Sequence, residues 1–249
     1  MLEAKNVPYA GFAQYYDLLG WSEFSDLIFP MIMKFFSRLN RPTENFLDLA
    51  CGTGVLAGML AKKKINVTGI DISPQMISQA RAKNPSGPFQ PEFAIADITD
   101  FDLQKKFDMA GCFFDSINHL RSKSEVKKTF ACASKHILKK GWFLFDIVTK
   151  SGLENWKDFY HSRKDLYYVC QEARFIPAKN RARVKIEAFI NDKPNGTIHV
   201  KEVFDEIYIP LDTIYDYLIQ AGFAKIVIEP FSPAENIDEA ERVMICAGK

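Results

Sequence analysis

The run Leu47-Asp48-Leu49-Ala50-Cys51-Gly52-Thr53-Gly54 limits the chain's possible folds more than any other segment. Asn45 to Ala50 is a short apolar stretch with the length of a buried strand, and Thr53 to Lys63 has helical spacing. Between them lies a glycine-rich turn. Gly52 and Gly54 carry no Cβ, which suits a place where a ligand must approach the backbone. In an open α/β sheet, the first strand delivers such a turn to the crevice where ligands bind. Asp48 sits inside the end of this strand. Its carboxylate is placed to attract an ammonium group, directly or through water.

The strand–helix rhythm continues. Residues from Trp21 to Leu39 have helical spacing, and Pro42 breaks it. Strands are predicted at Asn66–Asp71, Glu92–Ala96, Phe107–Phe114 and Trp142–Val148. Ser73 is a good N-cap and Pro74 suits the first helical position, with that helix ending near Asn84-Pro85. A helix from Ser124 to Leu138 is closed by Lys140-Gly141. This alternation predicts a parallel sheet covered on both faces.

The rhythm then changes. Asp165–Phe175, Arg181–Ile190 and Thr197–Ile209 read as long strands with no helices between them. Turn-rich joints at Pro177–Asn180 and Asp192–Gly196 separate them. Val184, Ile186, Ala188 and Ile190 alternate with more polar positions, as in an antiparallel sheet with one buried face. A helix from Leu211 to Ala221 stops at Gly222. Strands Ala224–Glu229 and Arg242–Ala247 return to the first sheet. The expected organisation is an α/β domain from residues 1–150 and 210–249, with a helical N-terminal segment. An antiparallel β-lobe, residues 151–209, is inserted where a lid over an acceptor pocket would enter.

Two more acids end strands. Asp71 can accept hydrogen bonds from both hydroxyls of a ribose. Asp97 is placed to accept from an adenine amino group, with the Ile98 amide as donor to the ring. Ile72, Met76 and Ile98 can sandwich a purine, Met76 through its flexible thioether. Plainer readings compete. Asp71 and Asp97 also suit helix caps, and Met76 and Cys51 suit ordinary packing. Gly52, Gly54 and Ala57 also satisfy the G-x-G-x-x-A pattern of an NAD-dependent oxidoreductase.

The D-L-A-C-G-T-G turn, the acid ending strand two, and the acid plus apolar residue ending strand three resemble the class I S-adenosylmethionine-dependent methyltransferases. The resemblance covers Asn45 to about Val148 well and the final strands more loosely. It implies a Rossmann-like, doubly wound, seven-stranded sheet whose last-inserted strand is antiparallel. It also implies S-adenosyl-L-methionine as cofactor, bound by Tyr9, Tyr16, Asp48, Ala50, Cys51, Gly52, Gly54, Asp71, Ile72, Met76, Asp97, Ile98, Phe113 and Phe114. Ser116-x-x-His119-Leu120 is similar to glycine N-methyltransferase and to nucleotide-sugar N,N-dimethyltransferases. That similarity implies His119 near the acceptor, taking its proton. Asp115 and Asn118 depart from the pattern, and the plainer reading has Asn118 and His119 capping a helix or bonding to backbone. Tyr9-x-x-Phe12-Ala13-x-x-Tyr16-Asp17 resembles small methyltransferases with an inserted β-lobe, implying that Tyr16 and Tyr9 fold over the cofactor. A ring near a sulfonium gains cation–π attraction.

Glu202, Phe204 and Glu206 share one face of their strand. Facing the pocket, the acids would suit an amine; the competing reading is a solvated face. The expected reaction is direct in-line methyl transfer to a nitrogen or oxygen of a small molecule. A protein that binds the cofactor without catalysis is the other alternative. With 32 Lys plus Arg against 31 Asp plus Glu, nothing attracts the chain globally to nucleic acid or an anionic membrane. No apolar run is long enough to span a bilayer. Met1–Asn6 lacks the regions of a signal peptide. The five cysteines show no C-x-x-C spacing, so no metal is expected and they read as reduced thiols of a cytoplasmic protein.

Overall fold

Strands β1 (Asn45–Leu49), β2 (Asn66–Asp71), β3 (Glu92–Ile95), β4 (Phe107–Cys112) and β5 (Ile137–Val148) pair in parallel. Strands β10 (Lys225–Pro230) and β11 (Arg242–Gly248) extend the sheet to seven in the order β10-β11-β5-β4-β1-β2-β3. β11 lies antiparallel to both its neighbours, as the resemblance implies. This computed structural model describes residues 7–39, 41–84, 87, 89–192, 196–232, 236–237 and 239–249. The expectations for Met1–Asn6, Pro85 and Lys193–Asn195 fall outside those residues.

Helices cover both faces, which explains the unbroken apolar strands. Helices α1 (Phe24–Ser37), α2 (Val55–Ala61) and α3 (Pro74–Lys83) bury Ile28, Leu60 and Ile77 on one side. Helices α4 (Lys123–His136) and α6 (Leu211–Gln220) bury Phe130 and Leu218 on the other. The Ser73 hydroxyl caps α3 by accepting from the Met76 amide, and Pro74 occupies the first helical position. The chain reverses direction across the sheet between β1 and β4. That switch opens a crevice at the carboxyl ends of these strands.

Lys140-Gly141 is not a helix stop. α4 ends at His136, and the pair lies inside β5, where the register against β4 shifts and Lys140 takes a φ of 65°. A Cβ on Gly141 would lie 2.5 Å from Ile137 Cγ2 and 2.7 Å from the Asp108 carbonyl oxygen, so only glycine passes through this kink. Two further elements were not expected: a short helix α5 (Lys150–Asn155), capped by the Thr149 hydroxyl, and strand β6 (Phe159–Arg163).

β6 pairs with β7 (Tyr167–Ile176), β8 (Arg181–Asp192) and β9 (Gly196–Ile207) in a second, four-stranded antiparallel sheet. Val184, Ile186, Ala188 and Ile190 are buried on its inner face. Phe12 and Leu19 of the N-terminal segment complete that core. The Glu202 carboxylate fixes the same segment by accepting from the Tyr9 and Gly11 amides at 2.5 and 2.6 Å. Asn118 joins the two sheets. Its side chain donates to the Val148 and Ile207 carbonyls and accepts from the Val148 amide, each at 3.0 Å. No helix among the described residues is long and apolar enough to cross a membrane.

Candidate active site

One cavity opens at the carboxyl ends of β1 to β4. Tyr9, Tyr16, Asp48, Ala50, Cys51, Gly52, Asp71, Ile72, Met76, Asp97, Ile98, Phe113, Phe114 and His119 all line it. Gly54 does not. Its φ is 73°, and a Cβ there would lie 2.8 Å from the Phe93 ring and 2.9 Å from Ala80 Cβ. Gly54 therefore serves the packing of the turn against α3 and β3. Gly52, with φ 52°, has nothing within 4 Å of a would-be Cβ, and it is the glycine that leaves open space beside the backbone.

Asp71 builds the floor of this edge. Its two carboxylate oxygens accept from the Gly52 amide at 2.9 Å and the Ser73 amide at 2.8 Å, tying the turn after β1 to the start of α3. Burial pushes its carboxyl up, and those two amides pull it back. Asp48 has no such help. It is buried, Oδ2 has no hydrogen-bond partner, and desolvation with the nearby Asp71 charge pushes its carboxyl up to about 8. A cation beside it would satisfy the orphaned oxygen. Asp97 Oδ1 accepts from the Thr99 amide and hydroxyl, closing a turn rather than capping a helix, since no helix lies between β3 and β4 among the described residues, and Asp97 keeps its place in the cavity. Met76 and Ile98 are buried in the wall, and Ile72 is more exposed.

The N-terminal segment closes the opposite side. The Thr53 hydroxyl donates to Asp17 at 2.7 Å, and Asp17 also pairs with Lys83. Tyr9, Tyr16 and Trp21 interlock edge-on or tilted, with ring centroids 5.2–5.6 Å apart. Burial pushes both tyrosine hydroxyls up, so they remain donors.

Beyond β4 the backbone turns sharply, with Phe114 and Asp115 at φ 58° and 48°. Two residues that sequence reasoning missed hold this turn. Asp146, fully buried in β5, accepts from the Phe114 amide at 2.7 Å and the Asp115 amide at 3.1 Å. Arg242 of β11 pairs with Asp146 and lies 3.4 Å from Asp115, its guanidinium over the Phe24 ring. An acid between Phe145 and Ile147, inside an apolar strand, was the available signal.

His119 does not cap a helix; Ser122 caps α4. The imidazole lies among Tyr9 and Phe204, with centroids 5.8 and 4.9 Å away. Nδ1 is buried without a partner, and burial lowers the pKa of the ring, leaving it neutral. Nε2 lies 3.7 Å from Glu206 Oε1. Glu206 is wholly buried, and neither of its oxygens has a partner. The solvated-face reading of Glu202, Phe204 and Glu206 therefore fails: this face turns inward. Asp115, His119 and Glu206 bring atoms of metal-ligand type within 4.8 Å of one another, a grouping hidden by their separation along the chain. Arg242 already supplies Asp115 with a cation.

Residues 46–141 match a methyltransferase domain family. The chain is 29% identical to a putative methyltransferase of Bacillus subtilis (strain 168), over 97% of each protein. It is 33% identical to the dTDP-3-amino-3,6-dideoxy-alpha-D-glucopyranose N,N-dimethyltransferase of Streptomyces fradiae, over 39% of this chain and 36% of that one. An S-adenosylmethionine-dependent methyltransferase from Clostridium acetobutylicum ATCC 824 superposes with a TM-score of 0.78. The two are 27% identical, and the match covers 96% of this chain and 98% of that one.

Proposed function

Given that the chain is a class I S-adenosylmethionine-dependent methyltransferase, we propose that it transfers the methyl group in line to a nitrogen or oxygen of a small-molecule acceptor, an amine above all. The observation that carries this reading is that one cavity contains both the strand-end acids and His119. S-adenosyl-L-methionine supplies the activated methyl group. The residues present fit it. Asp48 offers an orphaned carboxylate to its ammonium, Asp71 to its ribose, and Asp97 with Ile98 to its adenine. Cys51, Ala50 and Gly52 supply backbone, while Phe113 and Phe114 flank the reacting end.

The chain's own part is alignment, exclusion of water and proton handling. Tyr9 and Tyr16 cover the cavity from the N-terminal segment, and their rings suit a sulfonium. Residues 151–209 act as the lid on the acceptor side, through the strand that carries Glu206. His119, neutral and at the wall, takes the proton that a nitrogen loses after methylation. The Streptomyces relative, whose name specifies an amino-sugar N,N-dimethyltransferase, supports a small amine such as an amino sugar. The five free cysteines suit a reducing, cytoplasmic setting.

The test is a mass-spectrometric screen with methyl-labelled cofactor against amino sugars and other small amines. One labelled methyl gained by an amine is expected. Tight binding of a nicotinamide dinucleotide, with none of S-adenosylmethionine, would sink the reading.

A further inference from the structure

We propose that Glu206 is the positioning residue of His119, and that the two act as one proton-accepting pair behind the acceptor. This rests on the methyl-transfer reading above. Three observations carry it. His119 lines the cavity, whereas Glu206 is wholly buried, with its Oε1 3.7 Å from His119 Nε2. Neither Glu206 oxygen meets a donor at hydrogen-bond distance, and its nearest acid, Asp115, bears on it as a second carboxyl, an arrangement a buried carboxylate rarely tolerates without a task. The wall around the pair is rigid: β9 carries Glu206, and Asn118, next to His119, is bonded to the ends of β5 and β9.

The surroundings set the pair's proton affinity. Tyr9 packs on the His119 ring from the N-terminal segment. Glu202, four positions before Glu206 on β9, is bonded to the Tyr9 and Gly11 amides. Asp115 from the turn after β4, Asp146 from β5 and Arg242 from β11 complete the charged shell. Burial and Asp115 push the Glu206 carboxyl up, while burial pushes His119 down. These opposite shifts favour a proton on Glu206 over one on His119 and leave the imidazole free to accept. As pH rises the pair loses that proton and becomes a strong acceptor, because the Glu206 carboxylate then stabilises an imidazolium.

The step balances. The acceptor nitrogen forms its bond to the methyl carbon as the carbon–sulfur bond breaks, and sulfur keeps the electron pair. The proton left on nitrogen passes to His119 Nε2, with the Glu206 carboxylate beside the new positive charge. An orphaned carboxylate and a neutral imidazole thus become an ion pair, the arrangement that favours proton transfer in a buried site.

The experiment uses the full chain with S-adenosylhomocysteine bound and its histidines isotopically labelled. The His119 ring signals are followed by NMR from pH 5 to 10, in the wild type and in Glu206→Gln. The wild type should show a second inflection at His119, above the one for its own protonation, as Glu206 ionises. Glu206→Gln should erase that inflection and leave the lower one nearly in place, because the amide resembles the protonated acid that stands beside the ring there. With an amine acceptor in hand, the wild-type turnover rate should climb through the upper inflection. The variant should be about 10²-fold slower, the low end for positioned proton transfer, and flat with pH. Glu206→Asp should recover part of the pH dependence. The wild-type titration alone decides the matter if a variant fails to fold, since a single inflection at His119 overturns the pairing. Identical curves in wild type and Glu206→Gln also overturn it. Failure of the methyl-transfer reading would appear separately, as absent S-adenosylhomocysteine binding.

Discussion

On the cofactor edge, the acids that hold turns find their partners close by in sequence: Asp97 with Thr99, two residues on, and Asp71 with Ser73, two residues on, and with Gly52, 19 residues back. On the acceptor edge, the turn after β4 is held by Asp146 from 31 and 32 residues away and by Arg242 from 127. Both edges face the same cavity. The first is assembled by local turns at the ends of consecutive strands. The second is a buried charge network drawn from β4, β5, β9 and β11 together with the N-terminal segment. A local network survives insertion and drift elsewhere in the chain. A long-range one ties chemistry to the whole fold, so its defects should show in stability as well as in rate.

The largest expected effect is on rate. His119→Asn keeps a polar side chain but removes basicity. It should slow methyl transfer by about 10²–10⁴-fold while leaving cofactor affinity little changed. Single-turnover kinetics on a competent acceptor separates this from a loss of acceptor binding. If rate and affinity both stay as they were, the acceptor edge works by positioning alone.

Next comes stability. Arg242→Met removes the cation shared by Asp115 and Asp146 and leaves two buried carboxylates facing each other. Breaking a buried pair from one side costs about 3–5 kcal/mol. Urea denaturation should show that loss. Arg242→Lys should recover only part of it, because an ammonium cannot span both acids as the planar fork does. A loss below about 1 kcal/mol would make the network a surface-like one and undo the contrast between the edges.

The difference also explains what could be read from the residues. The turn at Gly52, the cap at Ser73 and the acids at Asp71 and Asp97 follow from period, capping and turn chemistry, each contained in a window of a few residues. The inner face of β8 was equally legible from alternation. β6 was not: all five of its residues are exposed, so no alternation marks it. Lys140-Gly141 read as a helix stop because a positive φ suits a C-cap as well as a strand kink. The inward direction of Glu206 depends on which sheet face meets the N-terminal segment, and no local window contains that. Gly54 was assigned to the cofactor for its residue type, whereas its neighbour Phe93 comes from another strand.

A smaller effect is expected at Asp71. Asp71→Ala removes an acceptor for the ribose and also frees the Gly52 and Ser73 amides. Calorimetry should show cofactor affinity weakened by about 1.5–3 kcal/mol, the range for hydrogen bonds to a charged group. Folding stability should fall less than in Arg242→Met. Equal losses of stability would mean that the cofactor edge is as deeply wired as the acceptor edge.

The smallest effect sharpens the comparison through pH. Asp48 is an orphan on the local edge, as Glu206 is on the long-range edge. With its carboxyl pushed up to about 8, the cofactor-free fold binds a proton that the unfolded chain has released. That contribution to stability is fully present below the ordinary carboxylate range and is lost as pH rises through about 8. A ligand with an ammonium beside Asp48 favours the ionised form, so binding at pH 7 should expel the proton. Between pH 6 and 7, where the ligand's own α-amino group stays charged, affinity should rise by up to about tenfold, or about 1.4 kcal/mol. Calorimetry in two buffers of different ionisation heat measures the released proton directly. Asp48→Asn should bind more weakly at pH 7, release no proton there, and lose the pH dependence. Proton release that persists in Asp48→Asn would move the titrating group to the acceptor edge. Cofactor binding would then sense the buried network around Glu206, and the two edges would be coupled rather than separate.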